Sequence, residues 1–536
     1  MSYTSIVFFI FVAAVTLIYF LFPSKKYQWT VLLAASYFFY CYMGYRLVFF
    51  ILLTTVTTWL AGMKAESVRE ASAAELKAHK GDWDRAAKKA FKQKTQSKQR
   101  RLLAAVLILN FGILVFLKYY NFMAGGLNSL LGSQALPILK LLLPLGISFY
   151  TFQSMGYMID VFRGNISAEK NLFRFALFIS FFPQIIQGPI SAYSQLAAQL
   201  YEPHRPEYLR FKYGLELILW GYFKKLVIAD RAVTAINTVT ADYSAYTGTT
   251  ILFVSLLYAL QLYADFSAGI DISRGIAQML GIDMAVNFRR PYFSRSINEY
   301  WRRWHITLGV WMKNYIFYPV AMSGLFLGAG KRMKKSAFGQ TKAGAHISKV
   351  LPTSVASLIV FLVVGLWHGA NGKYVAFGLW NGLIIMLSIV LKPVFENWIT
   401  ALHIRTESFG WRLFQMVRTF IIVLIGYYFD IAPDFAGAVD MIRRSIVDQH
   451  LGLGKSEILS IGLKWSDYFV LAVGLIIIWI VSIRQEKLKL DGFGELISRR
   501  RTVFQWLCLF CMIMLIIIWG IYGPGYDPAD FVYMQF

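Results

Sequence analysis

Charged residues are scarce in this sequence, and acidic residues especially so. Charged side chains make up 15% of its 536 residues, whereas soluble globular chains carry about 25%. The 29 acidic and 54 basic residues fall mainly in a few short stretches. This composition excludes a soluble globular protein, and no stretch is hydrophilic and long enough to form a catalytic domain outside a membrane.

Cysteine is nearly absent as well. Its three occurrences, Cys41, Cys508 and Cys511, lie in apolar stretches, which argues against a disulfide framework. The sequence has no phosphate-binding G-x-x-x-x-G-K-[ST] loop, no G-x-S-x-G turn of a serine hydrolase, and no third ligand beside its histidines that would favour zinc. We therefore predict neither a bound metal nor a bound cofactor.

Apolar runs near the roughly 20 residues that span a bilayer recur along the whole chain. They predict an all-α, polytopic membrane protein of roughly 11 to 13 transmembrane or re-entrant helices. Pro137, Pro144, Pro183 and Pro189 predict that the segments between residues 138 and 190 are broken or re-entrant. The predicted crossings lie near residues 6–22, 27–62 (a pair that turns at 44–46), 102–120, 138–158, 172–190, 211–229, 250–280, 353–367, 374–391, 413–430, 467–483 and 503–521.

Three stretches, at residues 64–101, 331–349 and 484–501, carry most of the charge of a chain whose net charge is +25. The positive-inside rule places all three in the cytoplasm. The charge is therefore interpreted as topology, with some attraction to anionic membrane lipid, and not as nucleic-acid binding. The first stretch is expected to form a helical hairpin. Counting crossings from these stretches puts the N-terminus and the connection that contains His368 on the outer side.

Ionisable residues within the membrane are costly, at roughly 2.5 to 3.5 kcal/mol on insertion, so they are candidate functional residues. His368 lies in GLWHGAN, residues 365–371, where glycines permit close approach and an imidazole can act as a general base. His305 lies in YWRRWHITLGVWMKNY, residues 300–315. A helix there would place Trp301, Trp304 and His305 on one face. Each histidine also has a structural alternative: a helix cap for His368, and an interfacial belt of aromatics and arginines for His305.

Two further polar groups lie in apolar surroundings. Asp265, Asp271 and Arg274 occur in YADFSAGIDISR, residues 263–274, and an internal Asp–Arg pair between helices is the structural interpretation. Residues 184–189 carry two glutamines between prolines, a pattern typical of a broken helix beside a cavity, although helix packing explains it nearly as well.

Taken together, three stretches resemble the bacterial branch of the membrane-bound O-acyltransferase (MBOAT) superfamily. They are YADFSAGIDISRG, NFRRPYFSRSINEYWRRWHITLGVWMKNYIFYP and GLWHGANGKYVAFGLWNG, at residues 263–275, 287–319 and 365–382. QGPI at residues 187–190 belongs to the same resemblance, and the ending GPGYDPADFVYMQF is similar to that of alginate O-acetylation membrane proteins. At residues 268–271 the sequence AGID departs from the commoner pattern. We predict one membrane domain with a basic cytoplasmic loop at 64–101, the catalytic core at 140–395 and C-terminal transmembrane helices at 396–536.

The resemblance implies an MBOAT-type helix bundle with a catalytic base at His368 and a second key residue at His305. The proposed mechanism is deprotonation of an acceptor hydroxyl by His368 while His305 steadies the developing oxyanion. Further candidate residues for substrate binding are Trp304, Trp367, Asn314 and Asp265.

The resemblance also implies substrates and partners. An acyl group, with acetyl favoured, would pass from a cytoplasmic thioester, either acetyl-CoA or an acyl carrier protein, to an exported polysaccharide. An extracytoplasmic acyltransferase or esterase-fold partner would receive the group in some systems, all in a bacterial cell membrane. D-alanyl transfer to teichoic acid is the alternative. A transporter or flippase for an envelope precursor, and a non-catalytic scaffold, are the alternatives from other classes.

Overall fold

The protein is described by a computed structural model, which covers residues 1, 3–450 and 455–523. Residues 524–536, which carry most of the C-terminal ending named above, lie outside the described residues. Within the described ranges the regular structure is helical and no strand occurs, so the predicted all-α class is confirmed. Eight of the described helical stretches are long and apolar enough to cross a membrane. The total of 11 to 13 stays a prediction.

The chain divides into two compact units. One contains Met1–Leu215 and Ser273–Ala285, and the other contains Glu216–Ile272 and Val286–Phe536. The helices that begin in the first unit are α1 (Ile6–Leu21), α2 (Trp29–Gly44), α3 (Val48–Ala78), α4 (Arg85–Leu131), α5 (Ile147–Arg163), α6 (Leu172–Ser180), α7 (Phe182–Ile185), α8 (Tyr193–Tyr201) and α9 (Tyr208–Tyr222). The predicted domain boundaries at 64–101, 140–395 and 396–536 stay a prediction.

The basic stretch at residues 64–101 forms the predicted helical hairpin. Helices α3 and α4 extend past the apolar segments and turn between Ala78 and Arg85. Asp84 starts α4, where its carboxylate accepts a hydrogen bond from the backbone N–H of Ala87 at 2.6 Å, an N-cap that satisfies an otherwise unpaired donor. The amide of Gln99 joins the two arms by donating to the carbonyl of Ala65 at 3.1 Å.

The predicted crossing at 138–158 is misplaced. Residues 134–144 are not helical, and α5 begins only at Ile147. Two asparagines of α4 replace the missing helical hydrogen bonds: Asn121 both donates to and accepts from the backbone of Leu139, at 2.8 and 2.9 Å, and Asn128 does the same for Leu136. Non-helical backbone near a membrane needs such partners.

The predicted crossing at 172–190 is broken, as its prolines indicated. Helix α6 ends at Ser180, and α7 is a single turn that carries Pro183 near its start. Tyr3 donates its hydroxyl to the Pro183 carbonyl at 3.0 Å, and Ser36 accepts from the Phe182 N–H at 3.1 Å. Hydrogen bonds with the side chains of Tyr3 and Ser36, which belong to the same unit, therefore stabilise the backbone at this break.

In the second unit, α11 provides the long buried helix, although its last residues belong to the first unit. The helices after α9 are α10 (Asp230–Ala241), α11 (Gly248–Met279), α12 (Ile297–Arg303), α13 (Ile306–Met312), α14 (Tyr318–Ala321), α15 (Gly324–Lys335), α16 (Lys342–His368), α17 (Gly372–Val390), α18 (Lys392–Ala401), α19 (Phe409–Ile431), α20 (Phe435–Val447), α21 (Lys455–Ser460), α22 (Trp465–Leu488), α23 (Phe493–Ser498) and α24 (Thr502–Trp519). Two π-helical segments, Phe223–Ala229 and Lys313–Phe317, follow α9 and α13.

Candidate active site

His368 is the last residue of α16, which packs closely against α17. The close approach depends on facing glycines, because a Cβ on Gly365 would lie 3.0 Å from the Cα of Gly378. Small residues of this kind let membrane helices pack through their backbones. Asn371 then starts α17 by accepting a hydrogen bond from a backbone N–H two residues on, at 3.0 Å. The resulting turn buries His368, whose ring centroid lies 5.0 Å from that of Phe377.

His305 lies in a turn between two short helices. The single helix considered for residues 300–315 is wrong, because α12 ends at Arg303 and α13 begins at Ile306. The backbone of His305 has φ 45° and ψ 54°, in the left-handed region that residues other than glycine seldom adopt. Such a conformation persists only where its surroundings hold it.

Asn287 holds this turn. Its backbone carbonyl accepts a hydrogen bond from the N–H of Ile306 at 3.0 Å. Its side-chain Oδ1 accepts from both the N–H and the hydroxyl of Thr307, each at 2.9 Å. The Nδ2 of the same amide lies 3.2 Å from Nδ1 of His305. Asn287 is not among the site residues predicted from the sequence, although its place in the NFRRP stretch, residues 287–291, was a signal.

The indole of Trp367 lies beside both histidines. Its centroid is 6.0 Å from the ring of His305 and 5.2 Å from the ring of His368. On another side of His305, the ring of Phe266 makes an edge-on contact at 4.9 Å. The structure thus brings three of the predicted site residues together: the two histidines and Trp367.

The surroundings of His305 favour a neutral imidazole. The side chain is 2% exposed and lies outside the eight candidate membrane spans. Burial, and secondarily the electrostatic effect of the neighbouring His368, lowers the pKa of His305 to about 3. At physiological pH the ring is therefore uncharged and carries one N–H.

A cavity of about 430 Å³ adjoins His305. Most of its wall is apolar and comes from α12, α13, α16 and α17. On α16 the wall runs from Val364 back to Ser357, a distance of about 10 Å at 1.5 Å per residue. On α17 it includes Ile385 and Ile389. The cavity therefore extends from the C-terminal end of α16, where His368 lies, towards the N-terminal end of that helix at Lys342.

Trp304, a predicted substrate-binding residue, also lines this cavity. It is buried, and its ring packs 5.0 Å from that of Phe288 and 5.7 Å from that of Tyr300. The edge-on contact with Phe288 and the stacked ring of Tyr300 fix the indole in the wall beside His305. The structure therefore places Trp304 in contact with the same space as the imidazole.

Two exposed cations line the cavity. Neither Arg302 nor Lys313 forms an ion pair within the part of the chain that the structure describes, although Lys313 lies 5.5 Å from the ring centroid of Tyr318. The neighbouring Arg303, in contrast, forms ion pairs with Glu299 at 2.7 Å and with Glu486 at 2.9 Å. Arg302 and Lys313 thus keep their charges available to an anion.

The other two predicted residues lie in different surroundings. Asn314 is exposed in the π-helical segment Lys313–Phe317 and is not among the described residues of the cavity wall. Asp265 is fully buried and pairs with Lys225 at 2.7 Å, and Lys225 also pairs with Asp230 at 2.9 Å. Removing one partner of a buried pair costs about 3–5 kcal/mol, which indicates a structural contribution from Asp265. The substrate-binding role of both residues stays a prediction.

The lysines of this charge network are not among the residues predicted from the sequence. Lys225 binds Asp265, and its neighbour Lys224 binds Asp271 at 2.7 Å. Both lysines lie in the π-helical segment Phe223–Ala229, inside a predicted apolar crossing. Their positions within an apolar stretch were a signal, because buried cations in a membrane protein need acidic partners.

Comparison with known proteins places the chain in a family. The model of the membrane-bound O-acyltransferase family matches residues 96–332, which include Asn287 and His305. The probable alginate O-acetylase AlgI of Pseudomonas aeruginosa is 31% identical over 80% of this chain and 71% of its own length. The peptidoglycan O-acetyltransferase of Helicobacter pylori is 31% identical over 54% of this chain and 55% of its own length.

A more distant relative has a different transferred group. The teichoic acid D-alanyltransferase of Bacillus subtilis is 26% identical over 53% of this chain and 67% of its own length. The relatives and the family model agree with the membrane-spanning helices described above. The chain therefore belongs to the membrane-bound O-acyltransferase family and is a multi-pass membrane acyltransferase, as the two histidine motifs predicted.

Proposed function

We propose that this enzyme transfers an acetyl group from a cytoplasmic thioester to a hydroxyl of an exported cell-envelope polysaccharide. Alternatively, the acetyl group first passes to an extracytoplasmic acyltransferase or esterase-fold partner, which then transfers it to the polysaccharide. The observation that carries the proposal is the meeting of two buried imidazoles at Trp367, one of them beside an apolar cavity.

His368 acts as the general base in this proposal. Its imidazole takes the proton of the acceptor hydroxyl as the oxygen attacks the thioester carbonyl carbon. The carbonyl oxygen gains negative charge, which the N–H of His305 stabilises. The carbon–sulfur bond then breaks, and the thiolate receives the proton from His368. Trp304 and Trp367 form part of the wall around the reacting groups.

The cavity beside His305 is the proposed site for the acyl end of the donor. Its apolar wall suits an acyl chain and the thioester arm, while Arg302 and Lys313 suit the phosphates of acetyl-CoA or of a carrier protein's prosthetic arm. The direction of the cavity, towards the end of α16 near the basic stretch at 331–349, supports delivery from the cytoplasm. A donor of this kind is a co-substrate and not a bound cofactor.

Acetyl is favoured over D-alanyl by the relatives. Both O-acetylating relatives are 31% identical to this chain, and AlgI aligns with 80% of it, whereas the D-alanyltransferase is 26% identical over 53%. D-alanyl transfer to teichoic acid remains the second candidate because that relative aligns through the same family.

Activity of membrane vesicles tests the proposal. Vesicles with the wild-type protein and labelled acetyl-CoA are expected to label envelope polysaccharide, and His368→Ala is expected to reduce the rate about 10²- to 10⁴-fold, the usual contribution of a general base. His79→Ala changes a half-buried histidine of the basic hairpin, away from the site, and serves as the matched control. Full activity of a correctly inserted His368→Ala protein would contradict the proposed role.

A further inference from the structure

The side-chain amide of Asn287 has a defined orientation. Its Oδ1 accepts two hydrogen bonds from Thr307, both at 2.9 Å, and a carbonyl oxygen has two lone pairs. Turning the amide over would place its NH₂ group against the backbone N–H of Thr307, donor against donor. The hydrogen-bond network therefore assigns the oxygen to Thr307, although Oδ1 also lies 3.3 Å from Nδ1 of His305.

This orientation leaves the NH₂ group for His305. Nδ2 of Asn287 lies 3.2 Å from Nδ1 of the imidazole, and an amide nitrogen donates hydrogen bonds but does not accept them. Because Thr307 already occupies both lone pairs of Oδ1, the 3.2 Å contact with Nδ2 assigns Nδ1 as an acceptor, in preference to an Nδ1–H donating to Oδ1 at 3.3 Å. A neutral imidazole that accepts at Nδ1 carries its proton on Nε2.

We infer that Asn287 is a positioning residue that holds His305 in the Nε2–H tautomer, so that the imidazole is a fixed hydrogen-bond donor for the thioester carbonyl oxygen. The inference rests on the proposed function, because it specifies how His305 serves that reaction. It also divides the work between the two histidines: His368 accepts the proton of the hydroxyl, while His305 donates a hydrogen bond and keeps its proton.

Stabilising the turn at His305 does not by itself require an asparagine at position 287. The left-handed turn at His305 needs the backbone carbonyl of residue 287 and a side-chain acceptor for Thr307. An aspartate supplies both acceptors at the same positions. The NH₂ group of asparagine is needed only for Nδ1 of His305, so the asparagine-to-aspartate change separates the turn from the tautomer.

Asn287→Asp is the decisive variant. The carboxylate keeps both hydrogen bonds from Thr307, which also favour its ionised form. Its second oxygen only accepts, so the neutral imidazole of His305 takes the tautomer with the proton on Nδ1, and Nε2 loses its donor role. We expect kcat to fall about 10²- to 10³-fold, the effect of removing one oxyanion donor. The KM for the thioester is expected to change little, because the lost interaction forms in the transition state.

Nitrogen-15 spectroscopy of histidine-labelled protein gives a second readout that does not depend on activity. The His305 signals are assigned by their loss in His305→Ala. We expect an unprotonated Nδ1 in the wild-type protein, and a protonated Nδ1 with an unprotonated Nε2 in Asn287→Asp. The matched control is Asn171→Asp, the same change at the exposed asparagine that starts α6, whose Oδ1 accepts from the backbone N–H groups of Phe173 at 2.9 Å and Arg174 at 3.2 Å. This control should retain the wild-type tautomer and activity.

The inference about Asn287 and the proposed function of His305 are tested by different results. A protonated Nδ1 in the wild-type protein overturns the inference, even if Asn287→Asp does not fold. An Asn287→Asp protein with a protonated Nδ1, an unprotonated Nε2 and unchanged kcat overturns it as well. Full activity of His305→Ala would instead contradict the proposed function of His305, while the wild-type spectrum would still report the tautomer.

Discussion

At the residue scale, the two histidines have different supports. His368 ends a long helix and is packed by aromatic rings, whereas His305 lies in a strained turn held by Asn287. A general base must be able to gain a proton, and an oxyanion donor must keep one. The buried, neutral His305 suits the second task, because burial lowers its pKa to about 3.

Substitution of His305 tests this division. His305→Ala is expected to lower kcat about 10²- to 10³-fold because a transition-state donor is lost. His305→Gln is expected to recover part of that loss, since an amide N–H can donate in place of Nε2–H. Steady-state kinetics with acetyl-CoA measure both effects. Equal rates for the two variants would argue against a donor role.

The cations of the cavity give a prediction about the donor. Arg302→Gln and Lys313→Gln are expected to raise the KM for acetyl-CoA, because a charge-assisted contact to phosphate contributes about 1.5–3 kcal/mol, a factor of roughly 10 or more. A phosphate-free acetyl thioester should show no such change. Lys331→Gln, at an exposed lysine of α15, is the matched charge control. An unchanged KM in both cavity variants would place the phosphates elsewhere.

The sequence pointed to the histidines and tryptophans as candidates but not to the residues that support them. His305, His368 and Trp367 occur in distinctive motifs, and the structure brings them together. The role of Asn287 depends on a turn at residues 304–306 that helical periodicity does not predict. The network around Asp265 depends on a π-helical segment, which shifts side-chain positions relative to an α-helix.

At the element scale, the α16–α17 hairpin positions His368. Gly365 lies against the Gly378 backbone and against the carbonyl of Tyr374. There is no room for a side chain at this crossing, so any larger residue must push the helices apart. The register of the hairpin therefore depends on the glycine, and the location of His368 depends on the register.

Gly365→Val is expected to destabilise the protein by about 1–3 kcal/mol, the usual effect of overpacking. A loss of acyl transfer should accompany it, because His368 moves relative to Trp367. Thermal unfolding in detergent and transfer assays measure the two effects. Gly372→Ala is the control, since a Cβ there would meet no atom within 4 Å. A Gly365→Val protein as stable and active as Gly372→Ala would refute this account of the hairpin.

Hydropathy located the long helices but not every boundary. Long apolar runs, such as residues 353–367 of α16, are helical where predicted. The apolar run at 138–144 is not helical, because Pro137, Pro144 and Gly146 bound it and Asn121 of α4 bonds its backbone at Leu139. Gly146 has φ 64°, and a Cβ there would collide with the Ile185 carbonyl. Such compensation through distant hydrogen bonds cannot be deduced from local composition.

At the scale of the whole molecule, the basic stretches and the second unit's cavity support one direction of transfer. The wall of the cavity runs from His305 towards the start of α16, next to the basic stretch at 331–349. The positive-inside rule assigns this stretch to the cytoplasm. A donor is therefore expected to enter from the cytoplasm, while the acceptor reaches His368 from the other side.

Sided transfer in reconstituted vesicles tests the central claim most directly. An envelope polysaccharide fragment is enclosed in the vesicles, labelled acetyl-CoA is supplied outside, and the ester formed on the fragment is measured for wild-type, His368→Ala and His79→Ala proteins. We predict transfer across the bilayer by the wild-type and His79→Ala proteins and a loss of about 10²-fold or more in His368→Ala. Equal transfer by His368→Ala, or transfer only when donor and acceptor share one side, would contradict the account.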